Sequence, residues 1–441
     1  MESPNAILAP IKRELFLLLI FSAMMFFLVF NEMWSLTYVL SAFIVPTSFF
    51  NPPLAVAIWL SYLAYEPIFS FNEVFSLYKI LSPGVVIGWL ARQVYFLDFV
   101  KYDTASLFWL LQFLLTPLLF IVVGNNFDSF IAYLSLCMLV LVAFISFTCC
   151  HNSKRSMLVV FCGIVVASVS CLAYAALIYD GGWRLTLTPG WGGGVRIIDQ
   201  VLSLGIVSLS AIIYGGKRYW LPSKFVFFIL LSLLFTFVAG LLAVVARGAL
   251  LGLVAFVLTY FFVKLAETFK SGGMRRIGLL KGFFILLFFP CLIFYASWFV
   301  NKTVANGLLF DKIMQAVSNP GESPRWDIWN SILSSVLQDG ALFGLGLVNI
   351  ESDSGYYSHS LYVSILGAGG FLGLMLFLFF LAFHCFRVLK DTNALALSAT
   401  SYFVVSYAFS GTIFSKTIWA AGVLVLLVVA FSSNKLRSAS Y

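Results

Sequence analysis

Charge is what this chain has least of: Asp, Glu, Lys and Arg together make up 10% of its 441 residues. A typical soluble domain carries about 25%, so most of this surface is not arranged against water. Histidine is scarcer still, at three residues, and the seven cysteines lie inside or at the ends of apolar runs with no histidine at metal-ligand spacing. Those cysteines are expected to act as small core hydrophobes, and no metal or other cofactor is implied. No solenoid-type repeat and no low-complexity tail interrupts the chain. In place of charge stand 62% hydrophobic residues, with 48 Phe, 19 Tyr and 11 Trp, and a mean hydropathy of +1.02. That balance suits lipid contact and the aromatic belts at the headgroups, and it implies an integral membrane protein.

Apolar segments of about 17 to 25 residues, long enough for about 30 Å of hydrocarbon, centre near residues 22, 41, 62, 84, 114, 139, 167, 206, 234, 257, 289, 373, 402 and 424. The first four are short, interrupted by proline, or carry Glu66, Glu73 and Lys79. The first run follows Lys12 and Arg13 and lacks a small-residue cleavage pattern, so it reads as a retained helix rather than a signal peptide. The net charge of +8 sits in short clusters between apolar segments: Lys12/Arg13, Lys154/Arg155, Lys217/Arg218, Arg275/Arg276/Lys281, Arg387/Lys390 and Lys435/Arg437. That is the pattern of cytoplasmic anchors, not of a nucleic-acid surface. Both termini are then cytoplasmic and the span count is even, with twelve spans expected and fourteen the alternative. The fold class is all-α: one polytopic transmembrane bundle over residues 1–441.

Two connections on the opposite, extracytoplasmic face are long. Residues 179–196 are rich in Gly and Trp, and residues 300–358 form the one sizeable excursion, where function concentrates when other loops are short. Within it, Ser323-Pro324 reads as a helix N-cap followed by proline at the first helical position. Trp326, Trp329, Ile332, Leu333, Val336 and Leu337 then recur at helical spacing, opposite Asp327, Asn330, Ser331, Ser334 and Gln338. An amphipathic helix is expected here, lying along the membrane surface. Asp339-Gly340 ends it, and Gly344, Gly346 and Gly355 punctuate the stretch leading to the next span.

Of the three histidines, His151 lies in a basic turn, His384 lies beside Arg387, and His359 alone falls on the outer face. Imidazole, with an ordinary pKa of about 6.5, is the side chain suited to take a proton from a hydroxyl near neutrality; the bland alternative is a satisfied interfacial histidine. Arg247 stands between two apolar runs, where a guanidinium costs about 3 kcal/mol unless it meets a partner or a wet cavity. Arg325 opens the loop helix, where backbone N–H groups and the dipole already favour an anion, and its fork matches phosphate oxygens. A salt bridge to Glu322 or Asp327 is its alternative. The outer loop holds Lys302, Lys312 and Arg325 against Asp311, Glu322, Asp327, Asp339, Glu351 and Asp353, so a local anion site fits better than a general basic surface. Gly367, Ala368, Gly369, Gly370 and Gly373 in the next apolar run read as close helix packing.

Taken in order, these residues resemble the O-antigen ligase and polymerase family of bacterial surface-polysaccharide enzymes. The likeness rests on Ser323-Pro324-Arg325-Trp326-Asp327-Ile328-Trp329, then Phe343-Gly344-Leu345-Gly346, then His359-Ser360 with Gly370-Phe371-Leu372-Gly373. Ser360 stands where Asn is common in relatives, and the loop between Arg325 and His359 is short. The resemblance implies a GT-C-like, metal-independent, inverting glycosyltransferase of the bacterial inner membrane. Its donor would be an undecaprenyl diphosphate-linked glycan, and its acceptor a sugar hydroxyl of lipid A-core. His359 would be the general base, with Arg247 and Arg325 binding the diphosphate. Arg184, Arg196, Trp326, Tyr357 and Ser360 would contact substrate, and residues 300–358 would form part of the periplasmic active site. A polysaccharide polymerase and a protein O-oligosaccharyltransferase are same-fold alternatives, and a transporter of lipid-linked glycans is the alternative from another class.

Overall fold

A computed structural model describes residues 4–65, 78–96, 127–150, 153–178, 195–219, 224–244, 247–270, 324–346, 360–390, 393–409 and 416–432. The described residues form helices joined by turns, with a non-helical stretch at 340–346 and no strand among them. The helices are α1 (Pro4–Phe30), α2 (Trp34–Ala42), α3 (Ile44–Phe50), α4 (Pro52–Ser61), α5 (Tyr78–Phe96), α6 (Phe127–Cys150), α7 (Lys154–Leu177), α8 (Val195–Tyr219), α9 (Lys224–Val244), α10 (Arg247–Lys270), α11 (Pro324–Asp339), α12 (Leu361–Lys390), α13 (Ala394–Ala408) and α14 (Lys416–Ser432). Among the described residues, five segments are long and apolar enough, by length and composition, to cross a bilayer: Lys12–Phe30, Lys154–Leu177, Ile198–Gly215, Gly248–Glu267 and Leu361–Phe386, the last of which runs through the break at Gly370. That is compatible with a multi-pass membrane protein. The expected runs near 114 and 289 lie outside the described residues, and the run near 41 is two short helices meeting at Phe43 rather than one.

Helix starts follow from local chemistry. Asn51, Ser153 and Asn393 each turn a side-chain oxygen onto the first free backbone N–H groups of α4, α7 and α13, which satisfies donors that have no partner within the helix. Proline at the first two positions of α4 removes an N–H where none is needed. The core then forms around α4, whose side chains from Leu54 to Ser61 are all buried, as expected of a helix that is apolar on every side. α1 by contrast exposes Phe16, Leu19, Met24 and Phe27, a face suited to lipid. The cysteines of the described residues are all free thiols, with Cys150 and Cys171 buried.

Specific contacts sort the helix ends. Glu14 on α1 accepts from Arg155 Nη2 at 2.9 Å and Nε at 3.2 Å, and from Asn51 Nδ2 at 2.9 Å, joining α1 beside Lys12 and Arg13 to the starts of α4 and α7. Phe161 on α7 meets Phe431 near the end of α14 with ring centroids 5.5 Å apart. A Cβ on Gly215, near the end of α8, would also strike the Phe431 ring. Asn393 donates to the Ser432 carbonyl at 2.9 Å. One end of the bundle therefore gathers the basic clusters at 12–13, 154–155, 217–218 and 387–390; the clusters at 275–281 and 435–437 lie outside the described residues.

The apolar run after residue 360 departs from a straight helix. Gly370 has φ 61° and ψ −162°, and the chain reverses there. Tyr362 and Phe377 lie with ring centroids 5.6 Å apart, although fifteen residues of continuous helix separate Cα atoms by about 22 Å. On α13, Tyr362 Oη donates to the Val404 carbonyl at 3.1 Å and His384 Nε2 meets Thr400 Oγ1 at 3.3 Å. Four residues of α13 thus match twenty-two of α12. The element is a hairpin of two arms, 361–369 and 371–390, with Gly370 at its apex.

Candidate functional site

The end of the bundle opposite the basic clusters is organised around the last turns of α13. α10 runs antiparallel to α13, with Ser401 Oγ donating to the Ala255 carbonyl at 3.2 Å. A Cβ on Gly252 would lie 2.7 Å from Ser406 Cβ, so only glycine permits this approach. Arg247 is the first residue of α10, five positions before Gly252, so its backbone stands level with the end of α13. Its side chain lies outside the described ones.

Arg325, in the first turn of α11, reaches the same place. Its Nη1 donates to the Phe409 carbonyl at 3.0 Å, an orphan acceptor at the end of α13. The salt-bridge alternative for Arg325 is thus joined by a backbone contact the sequence did not show. Trp326 beside it is 47% exposed, and its ring meets Trp329 edge to face at 5.2 Å. The apolar stripe of α11 divides: Ile332 and Val336 are buried against the protein, while Trp326, Leu333 and Leu337 remain exposed.

Ser360 is buried and opens the first arm of α12, its Oγ facing the Val363 N–H at 3.5 Å and its carbonyl accepting from Ser364 N at 2.9 Å. Two residues on, Tyr362 binds the Val404 carbonyl, five positions before Phe409 on the same helix. Arg325 and the foot of this arm therefore both fasten to the last turns of α13. Arg196 lies in the first turn of α8, and its side chain is outside the described ones. Arg184, Tyr357 and His359 lie outside the described residues altogether.

Beneath this end is a polar floor that sequence reasoning missed. Asp199 and Gln200 on α8 are buried. Asp199 Oδ1 accepts from the Gln200 N–H at 2.7 Å, and the Thr417 hydroxyl of α14 donates to Gln200 Oε1. The hydroxyls of Ser203 and Tyr402 share a hydrogen bond between α8 and α13, and Tyr407 Oη donates to the Thr417 carbonyl at 3.1 Å. The signal was available: Asp199 is an acid inside an apolar run, one turn from Arg196, and such a residue marks function by default in a membrane helix.

By backbone register the arrangement brings Arg247, Arg325, Arg196 and Ser360 to one end of the bundle, with hydroxyls and a carboxylate below. Among the described residues no group of three His, Cys, Asp or Glu side chains is placed to hold a metal ion. Set against known proteins, the chain matches no family model, no curated protein and no solved structure.

Proposed function

We propose that this chain is a glycosyltransferase of the O-antigen ligase type, moving a glycan from undecaprenyl diphosphate to a sugar hydroxyl of lipid A-core at the periplasmic face of the inner membrane. The observation that carries the reading is the meeting of Arg325, the start of α10 with Arg247, and the foot of the first α12 arm at the end of α13. By the positive-inside bias, the basic end faces the cytoplasm with both termini, and this site faces the opposite compartment.

Displacing an anomeric diphosphate requires charge stabilisation at the leaving group, which the guanidiniums of Arg247 and Arg325 supply. The acceptor hydroxyl must lose its proton as it attacks, and His359, directly before Ser360 in the chain, takes it. Attack from the face opposite the leaving group inverts the anomeric centre. Arg184, Arg196, Trp326, Tyr357 and Ser360 hold the sugar and phosphate groups around this line.

The test is in vitro transfer with purified protein, a defined lipid-linked donor and lipid A-core, with and without chelator. Product should form in both, and His359→Ala should lower the rate about a hundred- to ten-thousand-fold with donor binding kept. Near-normal turnover by His359→Ala ends the assignment of the base. In a deletion strain, accumulated lipid-linked polymer with a bare core indicates the ligase, whereas a single repeat on the core points to the polymerase alternative.

A transporter of the same lipid-linked glycan is favoured by one pair of observations: the carboxylate of Asp199 buried within a helix and a helix broken inside an apolar run. Both are common features of transporters. Flipping of labelled donor in vesicles without glycosidic product would select it.

A further inference from the structure

We infer that the loop after α11 and the apex of α12 form a glycine interlock that positions the transfer site, with Gly344 and Gly370 as its positioning residues; this rests on the transferase reading above. A helix hairpin with a one-residue turn leaves carbonyls bare at the end of its first arm and N–H groups bare at the start of its second. Here residues 341–346 satisfy both sets. Leu345 N donates to the Gly367 carbonyl at 2.8 Å and Gly346 N to that of Ala368 at 3.2 Å, while Phe371 N and Leu372 N donate to the carbonyls of Ala341 and Leu342 at 3.0 and 3.1 Å. The exchange is reciprocal, so neither segment keeps its geometry without the other. In a bilayer that matters more than in water, because non-helical backbone at depth survives only when protein groups satisfy it.

Glycine is required on both sides. Gly370 lies in a backbone region open essentially to glycine alone, and Gly344 has φ 80°. A Cβ on Gly344 would lie 2.5 Å from the Ala368 carbonyl and the Gly370 nitrogen, and one on Gly370 would lie 2.5 Å from the Gly344 nitrogen. Each Cβ would land in the other's backbone, which has no rotamer with which to yield.

The interlock also determines what moves. α11 is pinned at one end by Arg325 on the Phe409 carbonyl and at the other by the interlock through Gly340–Gly346. The first arm of α12 is pinned at its foot by Tyr362 on the Val404 carbonyl and at its top by the same interlock. Opening it keeps Arg325 on α13 but leaves the arm that begins at Ser360, the residue next to His359, held by Tyr362 alone and able to tilt about that one contact. The geometry between the diphosphate-binding guanidinium and the base is then lost while the guanidinium stays.

The test pairs amide hydrogen exchange of the full chain in lipid nanodiscs with transfer kinetics on Gly344→Ala, Gly370→Ala and, as control, Gly422→Ala, whose added Cβ meets nothing within 4 Å. In the unmodified protein, peptides spanning 341–346 and 367–372 should exchange slowly. Either glycine substitution should speed exchange about tenfold or more in both segments at once, with 154–177 and 195–219 unchanged. It should lower kcat about a hundredfold with little change in KM for donor, the size expected of an ångström-scale misplacement. Rapid exchange of 341–346 in the unmodified protein overturns the interlock without any variant. Faster exchange confined to the mutated segment overturns it too, and faster exchange in both with kcat retained overturns the positioning role. If the unmodified protein transfers no glycan, the transferase reading falls and the exchange pattern still judges the interlock.

Discussion

Gly252→Ala is the smallest change that moves one side of the site against the other. The added Cβ would sit 2.7 Å from Ser406 Cβ and 3.0 Å from Tyr402 Cδ2. Carbon atoms rest about 3.5–4.0 Å apart, so α10 and α13 must part by about 1 Å. Overpacking of this kind costs about 1–3 kcal/mol, which leaves most of the protein folded at assay temperature. Arg247 lies five residues away on the same helix and moves with it, away from Arg325 and Phe409. A displacement of about 1 Å costs on the order of a hundredfold in rate, so transfer should fall far more than the folded fraction. The assay is unfolding midpoint in detergent beside initial transfer rate. Ser406→Gly on the Gly252→Ala background removes the closest clash and should restore the larger part of both, a coupling that independent sites do not show. If Gly252→Ala leaves midpoint and rate unchanged, the close approach of α10 to α13 does not position Arg247 and the argument from register fails.

Arg325→Ala should weaken donor binding about ten- to a hundredfold, the worth of a charge-assisted hydrogen bond at a partly exposed group, read by titration with labelled donor. Arg325→Lys, which keeps the charge without the planar fork, should fall between, and unchanged affinity in both variants would remove Arg325 from the site. At the other end, Arg155→Ala leaves the Glu14 carboxylate with Asn51 alone. Because the Arg155 side chain is 40% exposed against 11% for Glu14, the loss should be nearer about 1 kcal/mol than the cost of breaking a fully buried pair. It should appear as a lower unfolding midpoint with transfer per folded molecule unchanged, and a selective loss of transfer would contradict the assignment of that end as structural.

Much of the bundle was legible because hydropathy reports what solvent each segment prefers. Runs centred near 22, 167, 206 and 257 became helices of membrane-crossing length, and α11 begins at Pro324 and ends at Asp339, directly before Gly340, as the start and stop residues predicted. The break in α12 was not legible as such. Its glycines were visible as a cluster, but a stripe of small residues signals close packing and chain reversal alike, and only the partner segment distinguishes them. Gly344 and Gly370 are twenty-six residues apart, and their fit is a tertiary fact. Asp199 was legible as an acid within an apolar run, but its place beneath the site was not, because Thr417 and Tyr402 reach that level from helices two hundred residues further along the chain. The Phe409 carbonyl that receives Arg325 was illegible in principle, since a backbone acceptor carries no residue identity.

The depth of Asp199 bears on the choice between enzyme and transporter. It lies four residues inside the start of α8, about 6 Å along the helix, just below the arginine-bearing end. A carboxylate held in apolar surroundings costs several kcal/mol unless partners offset it, and Gln200, Ser203, Thr417 and Tyr402 form such a polar neighbourhood at that level. Among the described residues, the buried acidic and imidazole side chains nearer the opposite end are Glu14, paired with Arg155, and His384, facing Thr400. A conducting path requires polar groups that hand over from one side to the other, whereas a transfer site requires a polar floor closed from below. Among the described residues, α8, α13 and α14 gather this polar layer just inside the arginine-bearing end, where it can serve as the floor of the proposed transfer site. Loss of transfer by Asp199→Asn with donor flipping absent in both proteins would support that role, and donor flipping abolished by the same change would give Asp199 to the transporter instead.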